Sequence, residues 1–380
     1  MIPRILTNDI KNSPKCVLLL GPRQTGKSTL MRQLNVDLNI NLMKESTYLE
    51  FAANPNRLEE LMAGTKPSSV LIDEIQRLPS LLNTIQTLID ESDTPAKFYM
   101  TGSSARKLKR GAANLLPGRL ITYCMGPLSA GELNYQIDNG SLAYGTLPEI
   151  QFMKSSALKE KLLTSYTGTY LKEEIQAEAL TKNNEGFARF LFVIAAEATR
   201  YLDLSKLAQQ AQIDRSSAVR WFEILEDTLL IYRIEMFAKT SRKRLVQHPR
   251  FFMFDNGVLN ALLKNFSPSQ DRIGMLFENL FCSQLFASAY ANDKEITVSS
   301  FRTSHGAEVD FIVEIGQEIF AIECKSTTIQ PKVSMPGFSS FAEVVGKPFR
   351  KIVAYLGKEI MQKDDVEILP WQDALKVMGI

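Results

Sequence analysis

No apolar run in the chain approaches the roughly 18 residues that a membrane-spanning helix needs. The longest candidate, Phe187 to Ala198, is interrupted by Arg189 and Glu197, so no membrane partner is expected. The opening segment MIPRILTNDIKNSPK has no apolar stretch of the kind a secretory signal carries. Cysteine is scarce. Cys16, Cys124, Cys282 and Cys324 stand far apart, with no CxxC pair. That argues against a disulfide framework or a cysteine zinc site, and points to a reducing cytoplasm. An excess of one charge is also missing: 44 basic residues face 42 acidic ones, for a net charge of +2. No global attraction to nucleic acid follows, so any such binding must rest on local patches. Internal repeats and low-complexity tracts are absent as well.

What is there is a globular composition, 45% hydrophobic and 23% charged, which excludes a collagen-like or wholly disordered chain. A single core rarely grows past roughly 250–300 residues, so 380 residues imply two or three domains. Over 1–150, short apolar runs alternate with helical stretches. Lys15 to Leu20, Ser69 to Ile72 and Lys97 to Met100 read as buried strands, and Lys27 to Leu34 as the helix after the first. Continuous apolar strands separated by helices suggest a parallel sheet covered on both faces.

Over 151–250 the pattern turns helical. A helix at Leu204 to Ala211, a turn with Asp214 as N-cap, and a helix with Ala218, Phe222, Leu225 and Leu229 on one face precede a strand at Leu230 to Ile234. Helix, turn, helix, strand is the outline of a winged helix. Over 251–380, Gly274 to Tyr290 reads as an amphipathic helix, and Ala307 to Val313 and Ile319 to Cys324 as strands around a turn at Gly316. The expected class is α/β: an N-terminal P-loop domain, a central helical, winged-helix-like domain, and a third α/β domain.

Gly21-Pro22-Arg23-Gln24-Thr25-Gly26-Lys27-Ser28 fits GxxxxGK[ST] at every fixed position, after a buried strand and before a helix. Glycines let the backbone curl until its N–H groups face phosphate oxygens. Lys27 would reach the β- and γ-phosphates, and Ser28 would ligate Mg²⁺. Gln24, Thr25 and Thr29 complete the expected ATP-binding set. Val70-Leu71-Ile72-Asp73-Glu74 is the expected second element, with Asp73 on the metal and Glu74 as the base that activates water. After the third strand, Ser103 is the first choice for a γ-phosphate sensor and Thr101 the second. Arg119 reads either as an arginine finger or as a surface arginine.

These residues resemble a family of prokaryotic AAA+-type ATPases whose C-terminal domain is of uncharacterised function. The resemblance runs through GPRQTGKSTL, LIDEIQRLP, MTGSSARKL, LPGR, GPLSAGEL, YTGTYLKEEI, RKRLVQHPRFFMFDNGVLNALL and GMLFENLF. Glu174 stands where an Asp is expected before Ile175. The resemblance implies ATP binding and supports Arg119 as a functional residue. AAA+ ATPases often form rings, so it also raises a homo-oligomer, with Arg119 acting in cis or in trans.

The tail carries a second constellation. Asp310, in Gly306-Ala307-Glu308-Val309-Asp310, is followed thirteen residues on by Glu323-Cys324-Lys325. This resembles the PD-(D/E)xK arrangement of restriction-endonuclease-like folds. On adjacent strands the two carboxylates can hold Mg²⁺, and Lys325, on the face of Glu323, can activate water. Glu278 on the preceding helix is a further candidate. The other reading is a salt bridge, Glu323–Lys325 or Asp310–Lys325, kept from a dead nuclease. Arg302 and His305, just upstream, read either as phosphate contacts or as plain loop positions.

For DNA or RNA, the candidate surface is the basic run from Lys239 to Arg250, which has no acidic residue. The second helix of the winged-helix unit mixes Arg215 and Arg220 with Glu223, Glu226 and Asp227, which disfavours deep groove reading, and protein packing is the alternative role. Arg106, Lys107, Lys109 and Arg110 form a second basic run. Two functions stay open: an ATPase acting on nucleic acid, or an ATP-gated binding switch with an inactive nuclease-like tail.

Overall fold

The computed structural model describes residues 2–92, 95–103, 116–171, 183–237 and 248–380, without the side chains of 169–171. The basic run at Arg106 to Arg110, residues 239–247 of the other basic run, and Glu174 lie outside the described residues. The chain forms two compact units, one of residues 3–126 with 227–229, the other of residues 127–226 with 230–380.

The first unit contains, in order, α1 (Thr7–Asn12), β1 (Cys16–Leu20), α2 (Lys27–Arg32), β2 (Leu38–Asn41), α3 (Glu45–Ala53), α4 (Arg57–Thr65), β3 (Ser69–Asp73), α5 (Leu81–Asp90), β4 (Lys97–Gly102) and β5 (Leu120–Cys124). Its sheet runs β2-β3-β4-β1-β5, and every neighbouring pair is parallel. β1 is buried at all five positions, as a strand covered on both faces must be. Its side chains alternate between two cores. Leu18 and Leu20 pack with Ile72 and Met100 in one, while Val17 and Leu19 pack with Leu30, Met31 and Leu71 in the other.

The second unit opens with α6 (Gly140–Tyr144), α7 (Pro148–Phe152), α8 (Ser156–Ser165), α9 (Asn184–Ala196), α10 (Leu204–Ala211) and α11 (Arg215–Asp227). Then come β6 (Ile231–Met236), β7 (Arg250–Met253), α12 (Asn256–Leu263), α13 (Ile273–Ala291), β8 (Thr297–Arg302), β9 (Glu308–Ile315) and β10 (Glu318–Lys325). It closes with α14 (Met335–Val345), β11 (Arg350–Tyr355), β12 (Met361–Lys363), β13 (Val366–Pro370) and α15 (Trp371–Val377). Among the described residues, its eight strands form one sheet in the order β12-β13-β11-β10-β9-β8-β6-β7. β9 is antiparallel to β8 and β10, and β10, β11 and β13 run parallel.

The expected helix, turn, helix and strand are present, and Asp214 accepts from Ser217 N at 2.7 Å as an N-cap. Leu229 does not extend the apolar face, because α11 ends at Asp227 and Leu229 turns to φ 58°. The strand is not confined to a central domain either: β6 pairs with both β7 and β8. Residues 150 and 250 both lie within the second unit. α13 is not amphipathic. Its polar Asn279, Ser283, Gln284 and Ser288 are buried along with its Leu and Phe residues.

Those polar groups form a stitched core. Asn256 Nδ2 donates to Leu276 O at 2.8 Å, Asn260 Nδ2 to Ala143 O at 2.9 Å, and Asn279 Nδ2 to Asn256 Oδ1 at 2.8 Å. Met253 N donates to Asn279 Oδ1 at 2.8 Å, and Gln284 Nε2 to Thr146 Oγ1 at 2.9 Å. The segments FDNGVLNALL and GMLFENLF are thus structural in large part, since buried amides must find partners. Asp255 belongs to this core and accepts from Thr146 N at 2.7 Å and Val258 N at 3.1 Å. Burial pushes its carboxyl up from 3.8 to about 6. A raised folded-state value means the fold favours the neutral acid. The penalty of the buried charge is absent below pH 3.8 and complete above about pH 6. The wild type should therefore gain up to about 3 kcal/mol relative to Asp255→Asn as pH falls from 7 to 4. Paired denaturant melts at the two pH values check this, and a constant difference would refute it.

Candidate functional site

β1 ends where its carboxyl edge meets the Gly21–Ser28 loop, and two glycines are required there. A Cβ on Gly21 would lie 2.1 Å from Met125 O, and Gly26 adopts φ 96°. Lys27, buried at 4% exposure, donates through Nζ to Gly21 O at 2.7 Å and Pro22 O at 2.9 Å. Thr25 is buried and donates to Pro22 O at 2.8 Å, whereas Gln24 and Thr29 are exposed on the loop and the first turn of α2.

Because β4 lies between β1 and β3, its end is set between the loop and the carboxylates. Ser28 Oγ donates to Asp73 Oδ1 at 2.8 Å, and Thr101 Oγ1 donates to the same oxygen at 2.5 Å. Thr101 Oγ1 also accepts from Glu74 N at 2.9 Å. Glu74 itself sits in the left-handed region at φ 63°. Its carboxylate accepts from Gln76 Nε2, which also donates to Ser103 Oγ at 3.0 Å. The loop, Asp73, Glu74, Thr101 and Ser103 are thus brought together. Gln76, which joins Glu74 to Ser103, was missed. Its place two residues after Glu74 was the available signal. Arg4 was missed as well, and nothing local to it marks the role: Nη1 donates to Thr25 O at 2.6 Å and Nη2 to Gly126 O at 3.1 Å.

Arg119 lies elsewhere. It immediately precedes β5, and its carbonyl accepts from Cys16 N at 3.2 Å, at the start of β1. A five-residue strand, roughly 17 Å long, separates that edge from the P-loop. Its Nε pairs with Asp90 Oδ1 at 2.5 Å.

In the second unit, Asp310 on β9 and Glu323 on β10 stand opposite each other, one step beyond the last ladder pair, Phe311 with Ile322. Asp310 Oδ2 accepts from Cys324 N at 2.8 Å. Lys325 shares the face of Glu323 and pairs with its Oε2 at 3.0 Å. Burial pushes the Glu323 carboxyl up, opposed by Lys325. Glu278 does reach this cluster, through a partner the sequence disguised. Arg250, counted above in a basic surface run, is buried at 5% exposure. Its Nη2 donates to Glu278 Oε2, and its Nη1 lies 3.8 Å from Asp310 Oδ1. Burial, then the Asp310 charge, pushes the Glu278 carboxyl up to about 7. Burial also raises the Asp310 carboxyl, against the pull of Arg250. Every carboxylate of the cluster thus faces a cation of the protein itself. Among the described residues, no group of three or more His, Cys, Asp or Glu is arranged to hold a metal ion.

Comparison with known proteins divides the chain in three. Residues 13–134 match the family model of the AAA domain. Residues 139–269 match a domain of unknown function (DUF8612), and residues 273–374 another domain of unknown function (DUF4143). An uncharacterized protein of Mycobacterium tuberculosis and one of Mycobacterium bovis are each 24% identical over 370 residues, covering 96% of this chain and 81% of theirs. Among solved structures, one of Pif1 helicases unwinding forked double-stranded DNA overlaps 43% of this chain and 50% of its own at 15% identity and TM-score 0.25. The chain thus spans about half the length of that helicase. The replication initiator DnaA bound to AMPPCP and single-stranded DNA overlaps 58% of this chain and 85% of its own at 11% identity and TM-score 0.27. The loop geometry and the AAA match together define residues 13–134 as a P-loop nucleotide-binding domain of the AAA class.

Proposed function

We propose that the protein is an Mg-ATP-hydrolysing switch whose second unit engages nucleic acid without cutting it. The observation that carries the first half is the junction of Ser28, Asp73, Thr101 and Glu74 beside the P-loop. A hydroxyl and a carboxylate already in contact fit a hard cation, and bound Mg²⁺ would neutralise phosphate charge there. Lys27 exchanges the carbonyls of Gly21 and Pro22 for phosphate oxygens. Glu74 leaves the Gln76 amide and takes the proton of the attacking water, while Ser103, on the other side of that amide, senses the γ-phosphate. Arg119, at the far sheet edge, serves a neighbouring copy's nucleotide in a homo-oligomer.

The second half rests on the cluster around Arg250. The order α13-β8-β9-β10-α14-β11, with β11 parallel to β10, supports a restriction-endonuclease-like core. Arg250 and Lys325 supply the countercharge that a metal would supply in an active nuclease, which favours binding over cleavage.

Steady-state ATP hydrolysis with and without DNA or RNA, with the DNA then run on a gel, tests both halves. Hydrolysis should respond to nucleic acid and the DNA should stay intact. Glu74→Gln should bind ATP yet turn over at least about 100-fold more slowly, because an amide cannot accept the proton. Unchanged turnover would assign the base to another carboxylate.

A further inference from the structure

We infer that Arg4 is a positioning residue for phosphate binding, an inference that rests on the ATP reading of the P-loop. Its guanidinium spans two carbonyls, Thr25 at 2.6 Å and Gly126 at 3.1 Å. The arm that carries it is itself fixed. Arg4 O accepts from Thr7 N at 3.2 Å and Thr7 Oγ1 at 2.7 Å. Two residues on, Leu6 is buried, and with Ile10 it packs against Leu30 and Met31 of α2.

The consequence follows from peptide geometry. In a trans peptide the C=O and the next N–H point to opposite sides, and the described chain has no cis bond. Holding Thr25 O on Arg4 therefore turns Gly26 N–H to the other side, the side from which phosphate approaches the curled loop. Thr25 cannot easily rotate away, because its hydroxyl is engaged by Pro22 O at 2.8 Å.

Gly126 completes the brace. Its neighbour Met125 donates to Leu20 O at 2.8 Å, and Met125 O lies where a Cβ of Gly21 would be. The start of the loop thus rests on Met125, and its end is tied through Arg4 to Gly126. A loop held at both ends meets phosphate with its N–H groups already oriented, so less ordering remains for binding to supply. Arg4 touches no reacting atom in this scheme, so its loss should fall on affinity and not on turnover.

The test is mant-ATP binding and steady-state hydrolysis by the full chain as wild type, Arg4→Ala, Arg4→Lys and Lys27→Ala, with nucleotide-free melting curves. Arg4→Ala should bind mant-ATP about 10-fold or more weakly, the loss of a charge-assisted pair of hydrogen bonds. Its kcat at saturating ATP should stay within about threefold. Arg4→Lys should fall between, because an ammonium lacks the fork that spans two carbonyls. If Arg4→Ala melts early, Arg4→Lys carries the test alone and must bind more weakly than wild type while melting normally. Variants that bind as wild type does, or that lose kcat as much as affinity, overturn the inference. A wild type that binds no mant-ATP would overturn the P-loop reading itself. A wild type that binds, a Lys27→Ala that does not, and Arg4 variants equal to wild type would overturn the Arg4 role alone.

Discussion

Lys27→Ala is expected to weaken ATP binding by at least about 100-fold, because the ammonium would make charge-assisted hydrogen bonds to the β- and γ-phosphates. Lys27 is not a free surface lysine: it is buried and holds the carbonyls of Gly21 and Pro22. Removing it leaves those two carbonyls to water at the mouth of the loop, so a modest stability loss of about 1–3 kcal/mol should accompany the loss of binding. The two effects are separable. Circular dichroism should report a folded chain at 25 °C while equilibrium titration with labelled ATP reports no saturation. Micromolar affinity in a folded Lys27→Ala protein would remove the lysine from the phosphate site.

Arg250→Ala should be the most destabilising single change in the second unit, by about 3–5 kcal/mol, since it leaves buried carboxylates without their cation. Glu278 and Asp310 both face that guanidinium, and its Nε is committed to Thr199 O at 2.8 Å. The pH dependence distinguishes this from simple loss of packing. Burial, then Asp310, raises the Glu278 carboxyl from 4.5 to about 7. Without Arg250 it should rise further. A raised carboxyl is penalised above its folded value and relieved below its unfolded one. The defect should therefore be largest near pH 8 and shrink toward pH 4.5, and adding Glu278→Gln should recover part of it. A pH-independent defect would mean that packing of Arg250 over Phe252 (5.0 Å to the ring centre) dominates. The same wild-type protein should leave DNA uncut with Mg²⁺ or Mn²⁺. Cutting that is lost in Asp310→Ala but kept in Lys27→Ala would show the carboxylates to be catalytic after all.

The nucleotide site was largely legible because its signals are local. Gly21, Gly26, Lys27 and Ser28 lie within eight residues, and the apolar runs of β1 and β3 lead directly into the loop and into Asp73 and Glu74. What escaped was set by long-range pairing. Arg4 and Thr25 are 21 residues apart, and Arg250 and Glu278 are 28 apart. Arg250 closes a basic run, and composition cannot tell a solvated arginine from one folded against two acids. The amphipathic reading of α13 failed for a related reason. Asn279 and Gln284 look like a solvent face, but their partners, Met253, Asn256, Leu128 and Thr146, come from other segments of the chain. The Asp310, Glu323 and Lys325 spacing did translate, because two hairpin strands impose register by their turn.

The eight-stranded sheet of the described residues draws its strands from two of the family matches. The two unknown-function family models meet near residue 270, but β6 and β7 come from the first and β8 from the second, and β6 pairs with β8 at Glu235–Ser299 and Met236–Ser300. The boundary between the two family matches therefore runs through one sheet. A lineage that lost the middle segment would leave β8 as a raw, unpaired edge, open to pairing with any passing strand. A chain cut back in that way is therefore expected to aggregate.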